Sequence, residues 1–303
     1  MSDNTVFKTE LEERINKINE QIESYLPEEK GHQSTIFEAM NYSVRAGGKR
    51  LRPLFMQEIC RLFTGEVQPA VVPFMAAIEM IHTSSLVHDD LPCMDDDMMR
   101  RGKASTWAEY GEDMGVLAGD ALMIYAFEVA AKAFNEVSEA DDLKRVGRAI
   151  EILAAKTGIY GMIGGQTVDV ELSGGPIPKN KLDFIYRLKT GALIEASMLI
   201  GAVLGGAAEE DCKIVESLAG KVGLAFQIQD DILDVTGDQK VLGKEAGSDE
   251  KNQKTTYVTI EGLEKAKKDV EVLSAQAVED LNKLPGNNEF LENLIRLLIK
   301  RQK

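Results

Sequence analysis

The chain is expected to fold as an all-α protein, and three observations carry that expectation. No proline occurs between Cys93 and Gly175 or between Lys179 and Leu284. Such spans, rich in Ala, Leu, Glu, Lys and Met, favour helices. Apolar residues recur at helical spacings of three and four, with no convincing period-two strand and no solenoid repeat.

The elements follow in order. Leu11, Ile15, Ile18 and Ile22 lie 4, 3 and 4 residues apart, giving an amphipathic opening helix. Ala46-Gly47-Gly48 marks a loop. Residues 71–91 are apolar on most sides, as in a helix central to a large bundle. Pro92 bends or ends that helix. Ser173-Gly174-Gly175-Pro176 marks the next loop, and Leu182, Ile185, Tyr186, Leu188, Leu193 and Ile194 resume the helical rhythm. Residues 218–235 form a second central helix. A long polar stretch, 236–253, follows directly and is a lid candidate. Pro285 to Asn288 marks a further loop. No composition shift marks a boundary, so residues 1–303 are read as one domain.

The chain of 303 residues is 44% hydrophobic and 28% charged, long enough to bury a substantial core. Its net charge of −15 opposes non-specific nucleic-acid binding, which needs a basic face. An anionic ligand would need local bases or bound metal. Cys60, Cys93 and Cys212 are too few and too scattered for a disulfide framework or a zinc knuckle. The first 13 residues lack a signal-peptide core. The longest apolar stretch, 196–208, has 13 residues and is too short to span a bilayer. A soluble, cytoplasmic protein without stable membrane insertion is expected.

Two aspartate clusters stand out, each in an apolar frame. The first is His88-Asp89-Asp90-Leu91-Pro92-Cys93-Met94-Asp95-Asp96-Asp97, trailed by Arg100 and Arg101. The second is Gln227-Ile228-Gln229-Asp230-Asp231-Ile232-Leu233-Asp234. Packed carboxylates beside a core are costly unless a cation neutralises them. Hard oxygen ligands suit Mg²⁺, which commonly brings a phosphate. Asp230 and Asp234 are i and i+4, hence on one helix face, roughly 6 Å apart along the axis. Asp231 points elsewhere and is expected to support rather than ligate. Asp89 and Asp95 would diverge on a straight helix, but a bend at Pro92 swings Asp95 back toward Asp89.

Arginine forks bind phosphate oxygens, so Arg100 and Arg101, about one helical turn behind the cluster, are anion-binding candidates. Gly47-Gly48-Lys49-Arg50-Leu51-Arg52-Pro53 is a second basic group, without Walker A spacing. Taken alone it reads as a loop with solvated bases. His82 lies seven residues before Asp89, on the same helical stripe. A lone histidine there is more often a satisfied core residue. Lys189, Thr190 and Gln227 are possible phosphate donors, each a weak signal alone.

Together these motifs resemble the trans-isoprenyl diphosphate synthases. The match rests on Asp-Asp-x-x-x-x-Asp with Arg-Arg-Gly-Lys and on Gln-x-x-Asp-Asp-x-x-Asp. Gly-Gly-Lys-Arg-Leu-Arg-Pro (47–53), Ile-His-Thr-Ser-Ser-Leu-Val-His-Asp-Asp (81–90), Leu-Ala-Gly-Asp-Ala-Leu (117–122), Gly-Gly-Gln (164–166), Lys-Thr-Gly (189–191) and Leu-Gly-Lys (242–244) extend it over most of the chain. The longer spacer of the first cluster resembles bacterial farnesyl and plant-type geranylgeranyl diphosphate synthases.

The resemblance implies a single large helical bundle around a deep central cavity, the isoprenoid synthase type I fold, and a homodimer. It implies three Mg²⁺ ions, two on Asp89 and Asp95 and one on Asp230. Asp90, Asp231 and Asp234 would help directly or through water. Arg100, Lys189, Thr190, Gln227 and Lys244 would grip an allylic diphosphate. Gly48, Lys49, Arg52, His82 and Arg101 would hold isopentenyl diphosphate. The implied reaction condenses the two substrates head-to-tail and releases diphosphate. One departure is Val258, where the family commonly has proline after the tyrosine.

Ser85 and Ser84, four and five residues before Asp89, would shape the floor for the growing tail. Ser84 is small where bacterial farnesyl synthases usually carry an aromatic. The floor is therefore expected deeper, near Ile81 or Ala77, favouring a C20 over a C15 product. Ser84→Tyr would then shorten the product. A class I terpene cyclase needs no second diphosphate site, so Lys49, Arg52, His82 and Arg101 argue against it. A non-catalytic subunit would be expected to have lost an aspartate cluster, and a bland acidic scaffold would need neither.

Overall fold

The computed structural model describes residues 3–236 and 255–300. Residue contacts divide it into two compact units, one of residues 1–57 and 67–150, the other of 58–66 and 151–303.

The first unit is built on α4 (Val71–Asp89). Phe74, Met75, Ile78, Met80 and Ile81 of this helix are fully buried, as its all-round apolar sequence requires. It packs chiefly on α6 (Glu112–Ala131), and also on α1 (Asp3–Glu23) and α2 (Ser34–Arg45). Helix α1 turns Ile18 and Ile22 inward, as its spacing predicts. Gly119 permits the close approach of α6 to α4, since a Cβ there would meet the His88 ring at 2.0 Å. The N-terminal part of α3 (Leu51–Thr64) and α5 (Thr106–Tyr110) complete the frame.

One feature departs from the expectation of helix throughout. Arg100 and Arg101 do not continue a helical turn. A two-stranded hairpin forms there, β1 (Met99–Arg100) against β2 (Lys103–Ala104), with Met99 opposite Ala104. Arg101 and Gly102 both take positive φ to close it. So short a hairpin leaves no period-two signal in a sequence.

The second unit contains the C-terminal half of α7 (Ala140–Thr157), α8 (Met162–Glu171) and α9 (Lys179–Ile185). Helix α9 runs through a π-helical turn, Tyr186–Thr190, into α10 (Gly191–Leu204). Every residue of α10 is buried. The long α11 (Glu209–Thr236) packs on α10 and α13 (Leu263–Leu281), with α12 (Tyr257–Glu261) and α14 (Glu289–Lys300) alongside. Gly223 lets α11 approach α10 closely, because a Cβ there would lie 3.1 Å from Gly191 Cα.

Asp280 of α13 clamps α11. Its carboxylate accepts from Ser217 at 2.8 Å, from Lys283 at 2.7 Å, and from Lys221. Burial alone would raise its pKa, but the Lys221, Lys283 and Ser217 hydrogen bonds outweigh burial and hold it at about 2. A depressed folded-state pKa gives stability that is fully present above the unfolded value near 3.8. That stability disappears as pH falls toward 2. Asp280→Asn is expected to lower stability by about 2 kcal/mol at pH 7. The difference from the parent should vanish near pH 2 in chemical denaturation, and a constant difference would refute this account.

By length and composition, α4 and the 112–136 segment would both pass for membrane spans, although neither is uninterruptedly apolar. Most of the α4 window, 72%, is buried inside the fold, whereas only 39% of the 112–136 window is.

Candidate functional site

In the first unit, the chain leaves α4 at Asp89 and turns back on itself after Pro92. The Asp95 amide donates to the Asp89 carbonyl at 2.9 Å, and the Asp97 amide donates to the Asp90 carbonyl at 3.1 Å. The bend expected at Pro92 therefore brings Asp95 back beside Asp89. Trp107 fastens the loop from outside through its indole N–H to the Asp97 carbonyl, 3.0 Å.

Carboxylates at a helix C-terminus meet the negative end of the helix dipole and require a counter-charge. Arg100 supplies it. Its Nε donates to Asp90 at 2.9 Å, Nη2 donates to the same carboxylate, and Nη2 reaches Asp97 at 3.1 Å. Asp90 is 2% exposed. Burial raises its pKa even though Arg100 opposes this. Asp90 is thus turned inward on Arg100, while Asp89 is half-buried and Asp95 is exposed. No described cluster of three or more His, Cys, Asp or Glu groups could hold a metal ion.

A cationic cluster lies in the same unit. The Arg50 guanidinium donates to Glu79 at 2.6 Å, to Asn19 at 2.8 Å and to the Val44 carbonyl at 2.8 Å. Arg101 reaches across Gly48 to the Gly47 carbonyl. Gly48 is favoured by its backbone and close-fitted against Arg101. Its φ is +143°, and a Cβ would meet the Arg101 guanidinium at 2.9 Å. Arg52 Nε is buried without a hydrogen-bond partner. Burial lowers the Arg52 pKa to about 10; Arg101 adds to the fall and Glu79 opposes it. His82 is pushed well below its usual value by burial and then by Arg52, Arg101, Arg50 and Arg100, so it is neutral at pH 7. Arg50, Asp96 and Arg101 are the non-glycine residues at positive φ among those described, and all three flank this site. Such strain gathers at functional sites.

In the second unit, α11 presents Gln227, Asp230, Asp231 and Asp234. Asp230 and Asp234 are half-buried, whereas Asp231 is buried. The Asp231 carboxylate accepts from the Tyr186 hydroxyl at 2.5 Å and from the Tyr257 amide at 2.7 Å. These bonds turn Asp231 toward Tyr186 and Tyr257, off the face that Asp230 shares with Asp234. The Thr190 hydroxyl donates to Gln227 Oε1 at 2.8 Å. Lys189 Nζ donates to Asp169 at 2.6 Å. Gly165 makes room for that turn, since a Cβ would fall 2.2 Å from the Lys189 nitrogen. Lys244 and the 237–253 part of the expected lid lie outside the described residues. Val258 is the second residue of α12, where a proline is equally acceptable because that amide has no intrahelical partner.

Sequence reasoning gave no role to Glu79, Asp169, Tyr186 and Tyr257, and gave Asp97 none beyond membership of the first acidic cluster. Only Asp169 left a usable signal, lying three residues after Gln166 on the same face of α8.

The family model for polyprenyl synthetase matches residues 33–290. The chain belongs to the polyprenyl synthetase family. It is 46% identical over 249 residues to the heterodimeric geranylgeranyl pyrophosphate synthase large subunit 1, chloroplastic, of Arabidopsis thaliana. That match covers 81% of this chain and 66% of the Arabidopsis protein, so just under two thirds of that protein's length is spanned. Among solved structures, an apo FPP/GFPP synthase from Zymomonas mobilis superposes with a TM-score of 0.85 at 32% identity, covering 97% of this chain and 99% of that one. A geranyltransferase from Helicobacter pylori, complexed with magnesium and isoprenyl diphosphate, does so with 0.81 at 32% identity, covering 99% and 97%. The all-α type I isoprenoid fold expected of a polyprenyl synthetase is thus the fold of this chain.

Proposed function

We propose that this protein is a short-chain trans-prenyltransferase, condensing an allylic diphosphate with isopentenyl diphosphate to give geranylgeranyl diphosphate. The observation that carries this reading is the cationic cluster of the first unit. A chain of net charge −15 gathers Arg50, Arg52, Arg101 and a neutral His82 around one buried carboxylate, Glu79. Cations in this excess, with Arg50 already paired to Glu79 and the buried Arg52 Nε lacking a partner, suit an anion. A terpene cyclase has no use for this second anion site.

Asp89 and Asp95 in one unit and Asp230 and Asp234 in the other are carboxylates, the hard oxygen donors that Mg²⁺ takes one or two at a time with phosphate completing its shell. When bound, the ions, three on the family pattern, neutralise charge building on the departing diphosphate. Lys189, Thr190 and Gln227 bind and orient the allylic diphosphate, with Asp169 fixing Lys189. Arg100 adds positive charge and is itself oriented by Asp90 and Asp97. Gly48, Lys49, Arg52, His82 and Arg101 hold isopentenyl diphosphate, so that its double bond meets the allylic carbon freed by C–O cleavage. Apolar side chains exclude water from the cation. Loss of a proton, to the released diphosphate, restores the alkene. Magnesium-dependent incorporation of labelled isopentenyl diphosphate into a product with farnesyl diphosphate tests the reading. No incorporation would overturn it.

The chain-length residues refine the expected product. Ser84 and Ile81 are fully buried, and the Ser84 hydroxyl lacks a hydrogen-bond partner. Ser85 is half-buried, its hydroxyl bonded to the His82 carbonyl at 2.9 Å. It lies one turn before Asp89 on the same face. Ser85→Phe is therefore expected to move the main product from C20 to C15 or shorter, read by chromatography of the dephosphorylated alcohols. Ser84→Tyr, expected from the sequence to shorten the product, is instead expected mainly to overpack α4, at about 1–3 kcal/mol, because Ser84 is fully buried. An unchanged product from Ser85→Phe would refute the assignment.

A cytoplasmic homodimer fits this reading. Leu117 and Ile124 are seven residues apart on one stripe of α6, and Ile124 is 72% exposed. Light scattering of the purified chain tests the dimer.

A further inference from the structure

The second unit contains a paired set of side-chain bonds that the proposed chemistry does not itself require. The Tyr186 hydroxyl donates to Asp231, and the Thr190 hydroxyl donates to Gln227. Tyr186 and Thr190 stand four residues apart at the two ends of the π-helical turn. Gln227 and Asp231 stand four apart on α11. The bonds are therefore two rungs of an antiparallel ladder, 186 to 231 and 190 to 227. Lys189 lies inside the ladder on one rail, and Asp230 lies inside it on the other.

A π-turn is an uncommon backbone state, and it persists only where its surroundings enforce it. Here the enforcement is visible. Gly165 leaves no room for a larger residue at the turn, with a Cβ there falling 2.2 Å from the Lys189 nitrogen, and Gly191 is close-fitted, its Cβ 3.2 Å from the Tyr186 carbonyl. The Tyr186 hydroxyl also accepts from the Tyr257 amide at 3.2 Å, and that amide donates to Asp231 at 2.7 Å. One buried carboxylate thus joins the turn, α11 and the first residue of α12. A hydrogen bond to a buried charged group is among the stronger ones.

We propose that Tyr186 is a positioning residue for the allylic diphosphate, acting through Asp231 to set the register of Lys189 and Thr190 against Gln227 and Asp230. Asp231 is then the outer rung of this ladder and not a magnesium ligand. The inference rests on the prenyltransferase reading above.

The test uses the full chain. Tyr186→Phe keeps the buried ring and removes the hydroxyl. It is expected to raise KM for the allylic diphosphate about tenfold, with KM for isopentenyl diphosphate, whose residues lie in the other unit, unchanged. Asp231→Asn is expected to raise the same KM and to leave the Mg²⁺ concentration for half-maximal rate within twofold. A fall in kcat with both KM values unchanged, or loss of the fold, would mean that the hydroxyl serves stability alone and would overturn the proposal. A tenfold rise in the Mg²⁺ requirement of Asp231→Asn would make Asp231 a ligand and overturn it too. Failure is separable from failure of the parent reading. An inactive wild type sinks the reaction, whereas an active wild type with indifferent variants sinks only the ladder.

Discussion

Asp230→Asn is expected to lower kcat by about a thousandfold and leave the fold intact. Asp230 is half-buried on α11, one turn beyond Gln227 and on the face it shares with Asp234. Asn has nearly the same shape, so packing against α10 and α13 is unchanged. What is lost is a full negative charge at the proposed metal-binding position. Removing one electrostatic stabiliser of a developing charge typically costs about 10²–10³ in rate, and metal stabilisation amounts to several kcal/mol. The measurement is steady-state kinetics with saturating substrates, together with a thermal midpoint within about 2 °C of the parent. Retention of more than a tenth of the rate would remove Asp230 from the metal site. Asp231→Asn, by contrast, acts on substrate KM through the Tyr186 rung.

The largest stability effect is expected from Glu79→Gln. Arg50 and Glu79 are 4% and 2% exposed and pair at 2.6 Å. Removing one partner leaves an uncompensated buried charge, which costs about 3–5 kcal/mol. For a chain of this size that corresponds to a fall of roughly 10 °C in Tm. The effect reaches the proposed anion site as well. Glu79 opposes the lowering of both the Arg52 and Arg101 pKa values. Without it, Arg50, Arg52 and Arg101 repel one another, and only Asp90 still opposes the lowering at Arg101. A bound diphosphate would relieve that repulsion. Isopentenyl diphosphate should therefore raise the Tm of Glu79→Gln by more than it raises the parent's, through ligand linkage. Equal shifts would show that Glu79 does not face the pocket electrostatically.

Much of the site was legible in the sequence because its chemistry is local. The i, i+4 spacing of Asp230 and Asp234 fixes a shared face before any packing is known. Pro92 forces a turn, and the Asp95 amide returns to the Asp89 carbonyl as that turn demands. The spacing also marked Asp231 as a supporter, although the family pattern alone would have made it a ligand. The hairpin carrying Arg100 and Arg101 was not legible, because two residues per strand carry no period. Glu79 read as one charge in an apolar run. Its partner Arg50 is 29 positions away, and no spacing rule links them.

The sequence by itself determined the helical class, the two acidic clusters and the basic glycine loop. These follow from periodicity, proline placement and the chemical character of neighbouring residues, all of which are short-range along the chain. Only the tertiary structure decided which carboxylates turn inward, Asp90 on Arg100 and Asp231 on Tyr186. It also decided that His82 is neutral and that Lys189 rides on a π-turn. Those outcomes depend on desolvation and on charges brought together from distant positions, and neither quantity exists until the chain is packed.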